Sequence, residues 1–438
     1  MKVLKFGGTS VGSSEQMKSV MNIISSDGKR KIVVLSAMSG TTNSLVEIGE
    51  NVKVGRTSKA KELIVSLKDK YYSTIDGLYS DSTRKDRAKE IIDTIFQTIT
   101  DAAETECTVN TENVIVAQGE LLSTNMFTLL MEENNFKVSL IPALEFMRID
   151  SDKLADSHFI SENIKQYISE DYDYFITQGF ICRNSEGEID NLQRGGSDYT
   201  ATLIGGAIGA EEVEIWTDID GFHNNDPRYV EGTKKIDELS FVEAAELAYF
   251  GAKILHPQTV FPTKERNIPV RLKNTMNPQD SGTVINSNTK LAGIKAVAAK
   301  DGITAIKVRS ARMLMAYGFM KRIFEVFDNY KTSIDMVTTS EVAVSITIDN
   351  VKKLDSIVKD LAVLGEVIVE HDYCIVCLVG NNITDSVGVA QEVLTVLKDT
   401  NVRMISFGGS SHNISVLIPS KDKVATLNKL SESLLNKL

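Results

Sequence analysis

The sequence predicts an α/β protein, a three-layer αβα arrangement around a mostly parallel sheet followed by two small βα modules in tandem. Three observations predict it. From residue 1 to about 290, short β-branched runs alternate with longer helical patterns, as in parallel strands covered by helices. The candidate strands of that region end in glycine-rich polar turns, where open parallel sheets bind ligands. Beyond about residue 300 the chain repeats itself.

The candidate strands are Val3–Phe6, Lys31–Leu35, Val114–Ala117, Tyr174–Thr177, Val213–Trp216 and Pro269–Leu272. Between them Ile91, Ile92, Ile95, Phe96 and Ile99 recur at helical spacing, and the Lys/Glu/Asp/Ser-rich stretch from about 53 to 110 predicts surface helices. For the repeat, Gly318 is placed over Gly388, an offset of 388 − 318 = 70, and both copies are read on without a gap. Phe324 then falls on Leu394, Val326 on Val396, Ile334 on Met404, Ser340 on Ser410, Ser345 on Ser415 and Ile348 on Ile418. Each copy reads as a glycine-started amphipathic helix, a strand, a Ser/Thr-rich turn and a second alternating strand.

Length and composition narrow the function. A chain of 438 residues is too long for one core, so at least two domains are expected. The net charge of −11 argues against nucleic acid as the main partner, because phosphate-binding surfaces carry a basic excess. No run of about 18 apolar residues occurs, and Met1-Lys2-Val3-Leu4-Lys5 has no apolar signal core, so a cytoplasmic protein is expected, with no membrane partner. Four cysteines are too few for a disulfide scaffold. Cys374 and Cys377 form a CxxC, but alternation along their apolar run sends them to opposite strand faces. The five histidines show no ligand spacing, so no protein-built metal site is expected.

The chemistry is expected at the strand ends. In Lys5-Phe6-Gly7-Gly8-Thr9-Ser10 the glycines let amide groups crowd around phosphate oxygens and Lys5 adds charge; the lysine precedes the glycines, so this is not a Walker A loop. Leu35-Ser36-Ala37-Met38-Ser39-Gly40-Thr41-Thr42-Asn43 and Gln118-Gly119-Glu120 bring hydroxyls and a carboxylate, suited to a small zwitterion. In Gln193-Arg194-Gly195-Gly196-Ser197-Asp198 a helix N-terminus lies beside Arg194, and Asp198 in the first turn can orient a lysine. Trp216-Thr217-Asp218-Ile219-Asp220-Gly221, Asp226-Pro227-Arg228 and Gly251-Ala252-Lys253 follow.

These motifs, in this order, resemble the aspartate kinases of the amino-acid kinase superfamily: KFGGTSVG, VVLSAMSGTTN, QGELLS, RGGSDYTA, WTDIDGF…DPR and FGAKILHP. RGGSD together with GAKILHP is the specific part, and the C-terminal repeat resembles the family's paired ferredoxin-like βαββαβ ACT modules. The resemblance implies a kinase domain over 1–290, ACT modules over 298–371 and 372–438 with boundaries open to interleaving, and transfer of the ATP γ-phosphate to the aspartate side chain. It implies Lys5 and Asp198 as the catalytic pair, aspartate contacts from Ser36, Thr42, Glu120, Arg194 and Ser197, and nucleotide contacts from Lys5, Gly7, Gly8, Thr217, Asp218, Arg228 and Lys253. Mg²⁺ would be held mainly through phosphates and water. His223 stands where the family often has a tyrosine near the base. Gln193 and Cys182 depart from positions where glycine is common.

The segment from Met313 to Glu341 looks like the lysine-sensitive subgroup. That implies lysine feedback inhibition of a homodimer or dimer of dimers, with Asp335 taking the effector's ammonium and Met313, Gly318, Phe319 and Ser333 shaping its pocket. Two other readings are a superfamily member with another acceptor and a sensor that has lost phosphoryl transfer. The paired repeat argues against the first, and the presence of Lys5, Arg194 and Asp198 against the second.

Overall fold

The computed structural model describes residues 1–105, 108–193, 195–251, 255–288, 293–314 and 317–435. The chain forms two compact units; Met1–Gly221, Asp237–Phe241 and Leu255–Ser287 make the first, and the remaining described residues the second.

The strands of the first unit are β1 (Lys2–Phe6), β2 (Lys31–Leu35), β3 (Val138–Ile141), β4 (Tyr174–Gln178), β5 (Ile181–Arg183), β6 (Ile189–Asn191), β7 (Val213–Thr217), β8 (Glu238–Ser240), β9 (Val270–Asn274) and β10 (Thr283–Asn286). Eight of them form one sheet in the order β3-β4-β2-β1-β7-β9-β10-β8, while β5 and β6 pair as a separate hairpin. From β3 to β9 every pairing is parallel, and β10 runs antiparallel to β9. A parallel strand covered on both faces has no polar side, and β2, Lys-Ile-Val-Val-Leu, is buried at every position.

The helices of this unit are α1 (Ser14–Ser25), α2 (Thr41–Lys53), α3 (Thr57–Leu78), α4 (Ser82–Glu104), α5 (Val109–Glu133), α6 (Ala143–Phe146), α7 (Ser157–Asn163), α8 (Gly196–Ile208) and α10 (Phe261–Lys264); between the last two, α9 (Phe241–Tyr249) passes into the second unit. The amphipathic helices expected between 53 and 110 are α3 and α4; their apolar faces, including Tyr71, Ile75, Ile92, Phe96 and Ile99, share a core with β1, β2 and α5.

One strand expectation is overturned. Val114–Ala117 is β-branched and apolar, yet it lies inside the 25-residue helix α5, which Thr108 and Thr111 start with a reciprocal capping box. Because α5 is buried on almost all sides its apolar residues show no helical stripe, and a short apolar run does not distinguish a buried helix from a buried strand. Among the described residues α5 is the one helix long and apolar enough to cross a membrane, and most of it is packed inside the protein.

The second unit carries β11 (Gly293–Arg309), α11 (Phe319–Asn329), β12 (Val337–Thr339), β13 (Ala343–Ile348), α12 (Leu354–Leu361), β14 (Glu366–Asn381), α13 (Val389–Val396), β15 (Met404–Phe407), β16 (Asn413–Pro419) and α14 (Lys423–Leu430). All six strands form one antiparallel sheet in the order β12-β13-β11-β14-β16-β15. The repeat is visible in it. Gly318 and Gly388 are both N-caps with left-handed φ, 76° and 90°. Strands β13 and β16 begin at Ala343 and Asn413, again 413 − 343 = 70 apart.

The first repeat is a continuous βαββαβ module, the second is βαββα completed by the start of β11, and the long strands β11 and β14 serve both. Residues 305–309 of β11 pair with 366–370 of β14 in the first module, and residues 293–300 pair with 375–381 in the second. The register shifts near residues 300–305 mark the change from one module to the other. The first module's core holds Ile306, Phe319, Phe327 and Ile346, the second's Cys374, Val376, Val393 and Val416.

Candidate active site

In an open parallel sheet the ligand crevice lies outside the carboxyl ends of the strands where the order reverses. Here the chain leaves β1 toward β2 on one side and returns to β7 on the other, so the crevice opens beyond Phe6, Leu35 and Trp216. Phe6 is in register with both Leu35 and Trp216. The turns that follow are bonded together: Gly7 N donates to Trp216 O at 3.3 Å, Ser36 N to Phe6 O at 3.2 Å, Ser39 N to Gly8 O at 3.1 Å and Gly179 N to Leu35 O at 2.9 Å.

Lys5 and Asp198 meet here. Lys5 Nζ lies 2.7 Å from Asp198 Oδ1, with side chains 11% and 13% exposed, although the residues are far apart in sequence. Asp198 stands in the first turn of α8, whose N-cap Gly195 has φ of 71°. An ion pair this shielded orients the ammonium while leaving two of its protons for another anion.

Beside the pair, Ser36 Oγ donates to Ser197 Oγ at 3.0 Å. The approach is tight because Gly179, just past β4, has no side chain; a Cβ there would lie 2.6 Å from Ser197 Oγ. Gly8 is likewise pressed against the β2 turn, with 2.8 Å between a hypothetical Cβ and Ala37 O. Glu120 reaches the same turn from α5. Its Oε1 accepts from Ala37 N at 3.3 Å, while Oε2 is buried without a hydrogen-bond partner. Burial pushes its pKa up to about 8, against the partial relief of that backbone bond. A carboxylate this poorly served lacks a cation or a donor.

The structure therefore brings together Lys5, Gly7, Gly8, Ser36, Glu120, Ser197 and Asp198. Thr42 is in the first turn of α2, directly after the β2 turn. Thr217 closes β7, and its hydroxyl donates to the exposed Asp218 at 3.1 Å. His223 and Arg228 belong to the second unit, where His223 Nδ1 lies 2.9 Å from Thr233 Oγ1 and Arg228 pairs with Asp226 at 2.6 Å. Arg194 and Lys253 lie outside the described residues.

Of the expected effector residues, Phe319 is 3% exposed and packs in the first module's core with Met313 against it, so both contribute packing. Gly318 caps α11 and Ser333 is exposed. Asp335 already holds two donors, Lys300 and Tyr249, at 2.7 Å each.

Sequence reasoning missed three contributors. Gly179 was detectable as the glycine after the strand run Tyr174–Thr177. Ser123 Oγ, which donates to Ser36 O at 2.8 Å and so fixes the turn, gave no signal beyond its place in QGELLS. His256 packs against Gly195 at the start of α8, a long-range contact with no local trace.

Residues 1–274 match the Amino acid kinase family, and residues 376–434 match an ACT domain. The lysine-sensitive aspartokinase 3 of Escherichia coli (strain K12) is 33% identical, covering 99% of this chain and 98% of its own length. Aspartokinase 2, chloroplastic, of Arabidopsis thaliana is also 33% identical, over 96% of this chain and 81% of its own. Among solved structures, E. coli aspartokinase III in complex with aspartate and ADP (R-state) superposes with a TM-score of 0.86 at 33% identity, covering 99% of both chains. The complex of the same enzyme with lysine and aspartate (T-state) gives 0.81 at the same identity and coverage. On these matches, the chain belongs to the amino acid kinase family and, within it, to the aspartokinases.

Proposed function

We propose that this enzyme transfers the γ-phosphate of ATP to the side-chain carboxylate of aspartate, forming 4-phospho-aspartate, the first step toward lysine, threonine and methionine. The shielded Lys5–Asp198 pair at the crevice is the observation that carries this reading. The aspartate carboxylate, with an ordinary pKa near ~3.9, is ionised at neutral pH and needs no general base. The protein's task is to bring two anions together and neutralise charge as the phosphoryl group moves. Lys5 faces the transferring group, Asp198 holds Lys5 in place, and the side-chain-free backbone at Gly7 and Gly8 lines the phosphates. Ser36, Thr42, Ser197 and Arg194 serve the acceptor's carboxylates, and Glu120, short of a donor, takes its ammonium. Thr217, Asp218, His223, Arg228 and Lys253 serve the nucleotide.

Mg²⁺ bound with ATP supplies charge neutralisation between the phosphates. The described residues include no group of three or more His, Cys, Asp or Glu placed to hold a metal, and a cation carried on phosphates and water needs none. Lysine is the proposed feedback inhibitor, bound at the C-terminal unit near Asp335 in a homodimer or dimer of dimers formed through the ACT modules, and the enzyme is proposed to work in the cytoplasm. A coupled assay for ADP release with aspartate, run alone and with lysine, threonine or both, tests the proposal. No aspartate-dependent ADP release removes the activity, and inhibition by threonine alone removes lysine as the effector.

A further inference from the structure

The second unit contains a cluster that the proposed chemistry does not use. The Asp335 side chain is 1% exposed. Its Oδ1 takes Lys300 Nζ of β11 and the hydroxyl of Tyr249, the last residue of α9, at 2.7 Å each, while Oδ2 is buried without a partner. Lys300 Nζ is also 3.0 Å from Asp349 Oδ2 and sits 4.4 Å from the centroid of the Tyr249 ring. An ammonium between two carboxylates and over an aromatic face has the surroundings a free amino group would be given in a binding site. Here the protein supplies that ammonium from its own chain.

We infer that Lys300 is a built-in occupant of the subsite at Asp335, and that a free amino acid binds there by displacing its ammonium and taking the Tyr249 contact with it. This rests on the reading of Asp335 as the effector's ammonium acceptor. The unpartnered Oδ2 makes the exchange favourable, because the internal arrangement leaves one buried acceptor empty and a ligand ammonium with three donors can serve both oxygens. The displaced Lys300 keeps Asp349 as a half-exposed partner.

The exchange has a consequence for α9. That helix is tied to the six-stranded sheet along one face: Glu243 to Lys295 at 2.9 Å, Glu246 to Asn413 at 2.7 Å, and Tyr249 to Asp335. The three anchors follow at intervals of three residues, so they share a face of the helix. Loss of the last one frees the end of α9 that leads, four positions on (253 − 249 = 4), to Lys253.

Two measurements on the full chain test this. Isothermal titration with L-lysine compares the native protein with Lys300→Met, which keeps the side-chain volume and removes the ammonium; at least tenfold tighter binding is expected in the variant. Thermal melts of Lys300→Ala in n-butylammonium chloride, against equal tetramethylammonium chloride, ask whether a loose primary ammonium refills the subsite; a higher Tm is expected in the variant and no difference in the native protein. Equal lysine affinity in both chains with no butylammonium effect overturns the inference and leaves lysine as effector standing. A butylammonium effect with no lysine binding to either chain supports the built-in occupant and overturns lysine as effector instead. Wherever lysine binds, the titration decides.

Discussion

The protonation of Glu120 makes a strong prediction about how substrate binding depends on pH. The side chain is 3% exposed, with one backbone donor on Oε1 and none on Oε2, and its pKa rises from the ordinary 4.5 to about 8. At pH 7 protonated chains then outnumber ionised ones by about 10 to 1, since one pH unit is a factor of ten. If the ionised form takes the ammonium of aspartate, the KM for aspartate should fall about ninefold from pH 6 to 7, about fivefold more by pH 8, and less than about twofold above it. Saturating aspartate holds Glu120 ionised, so kcat should change far less. Initial rates of ADP release from pH 6 to 9, at constant ionic strength, measure both, and Glu120→Gln should bind aspartate weakly with a flat profile. The same group acts on stability. Its folded pKa lies above its unfolded one and its charged form is the penalised one, so stability is full below pH 4.5 and falls as pH rises toward 8. Full ionisation costs about 5 kcal/mol, at about 1.4 kcal/mol per pKa unit. The ligand-free Tm should therefore decline across this window, less steeply in Glu120→Gln, and aspartate should restore it. A native KM that varies less than threefold between pH 6 and 8 would refute the assignment.

Lys5→Ala should retain the native far-ultraviolet circular dichroism yet lose at least ~10² in kcat, the scale of one electrostatic donor; a kcat within threefold of native in the coupled assay would remove Lys5 from the mechanism. Gly179→Ala puts a methyl 2.6 Å from Ser197, and should raise the KM for aspartate and cost about 1–3 kcal/mol in urea denaturation, through displacement of the start of α8. Ser123→Ala removes the 2.8 Å bond to Ser36 O; a loss of about 1 kcal/mol is expected, with the KM for aspartate rising more than that for ATP.

Much of the site was legible because its parts are local. Glycine after a β-run, a lysine before it and an acid in a helix's first turn are each readable within a few residues, and Lys5 and Asp198 lie as the motifs suggested, 2.7 Å apart. Glu120 was read on the wrong element. It was placed after a strand, but it projects from the middle of α5, whose burial erased the helical period. What depends on packing between distant segments left no trace in the sequence: Ser123 beneath Ser36, His256 against Gly195, and Tyr249 with Lys300 on Asp335.

The repeat shows the same division between pattern and partner. An offset of 70 was detectable because both copies need a left-handed glycine before the helix and alternation along the strands, and these are requirements of single segments. The offset does not reveal that the second module borrows a strand from outside its own repeat. Residues 293–300 precede the first copy, yet they pair with 375–381 and so supply the fourth strand of the second. A division between residues 371 and 372 therefore falls within β14, and the second copy has no complete sheet without the start of β11. Both modules hang on β11 and β14, and Lys300 sits on β11 where the register passes from one module to the other. A change at Asp335 in the first module thus acts on a strand that the second module also needs, which makes the two copies one mechanical element.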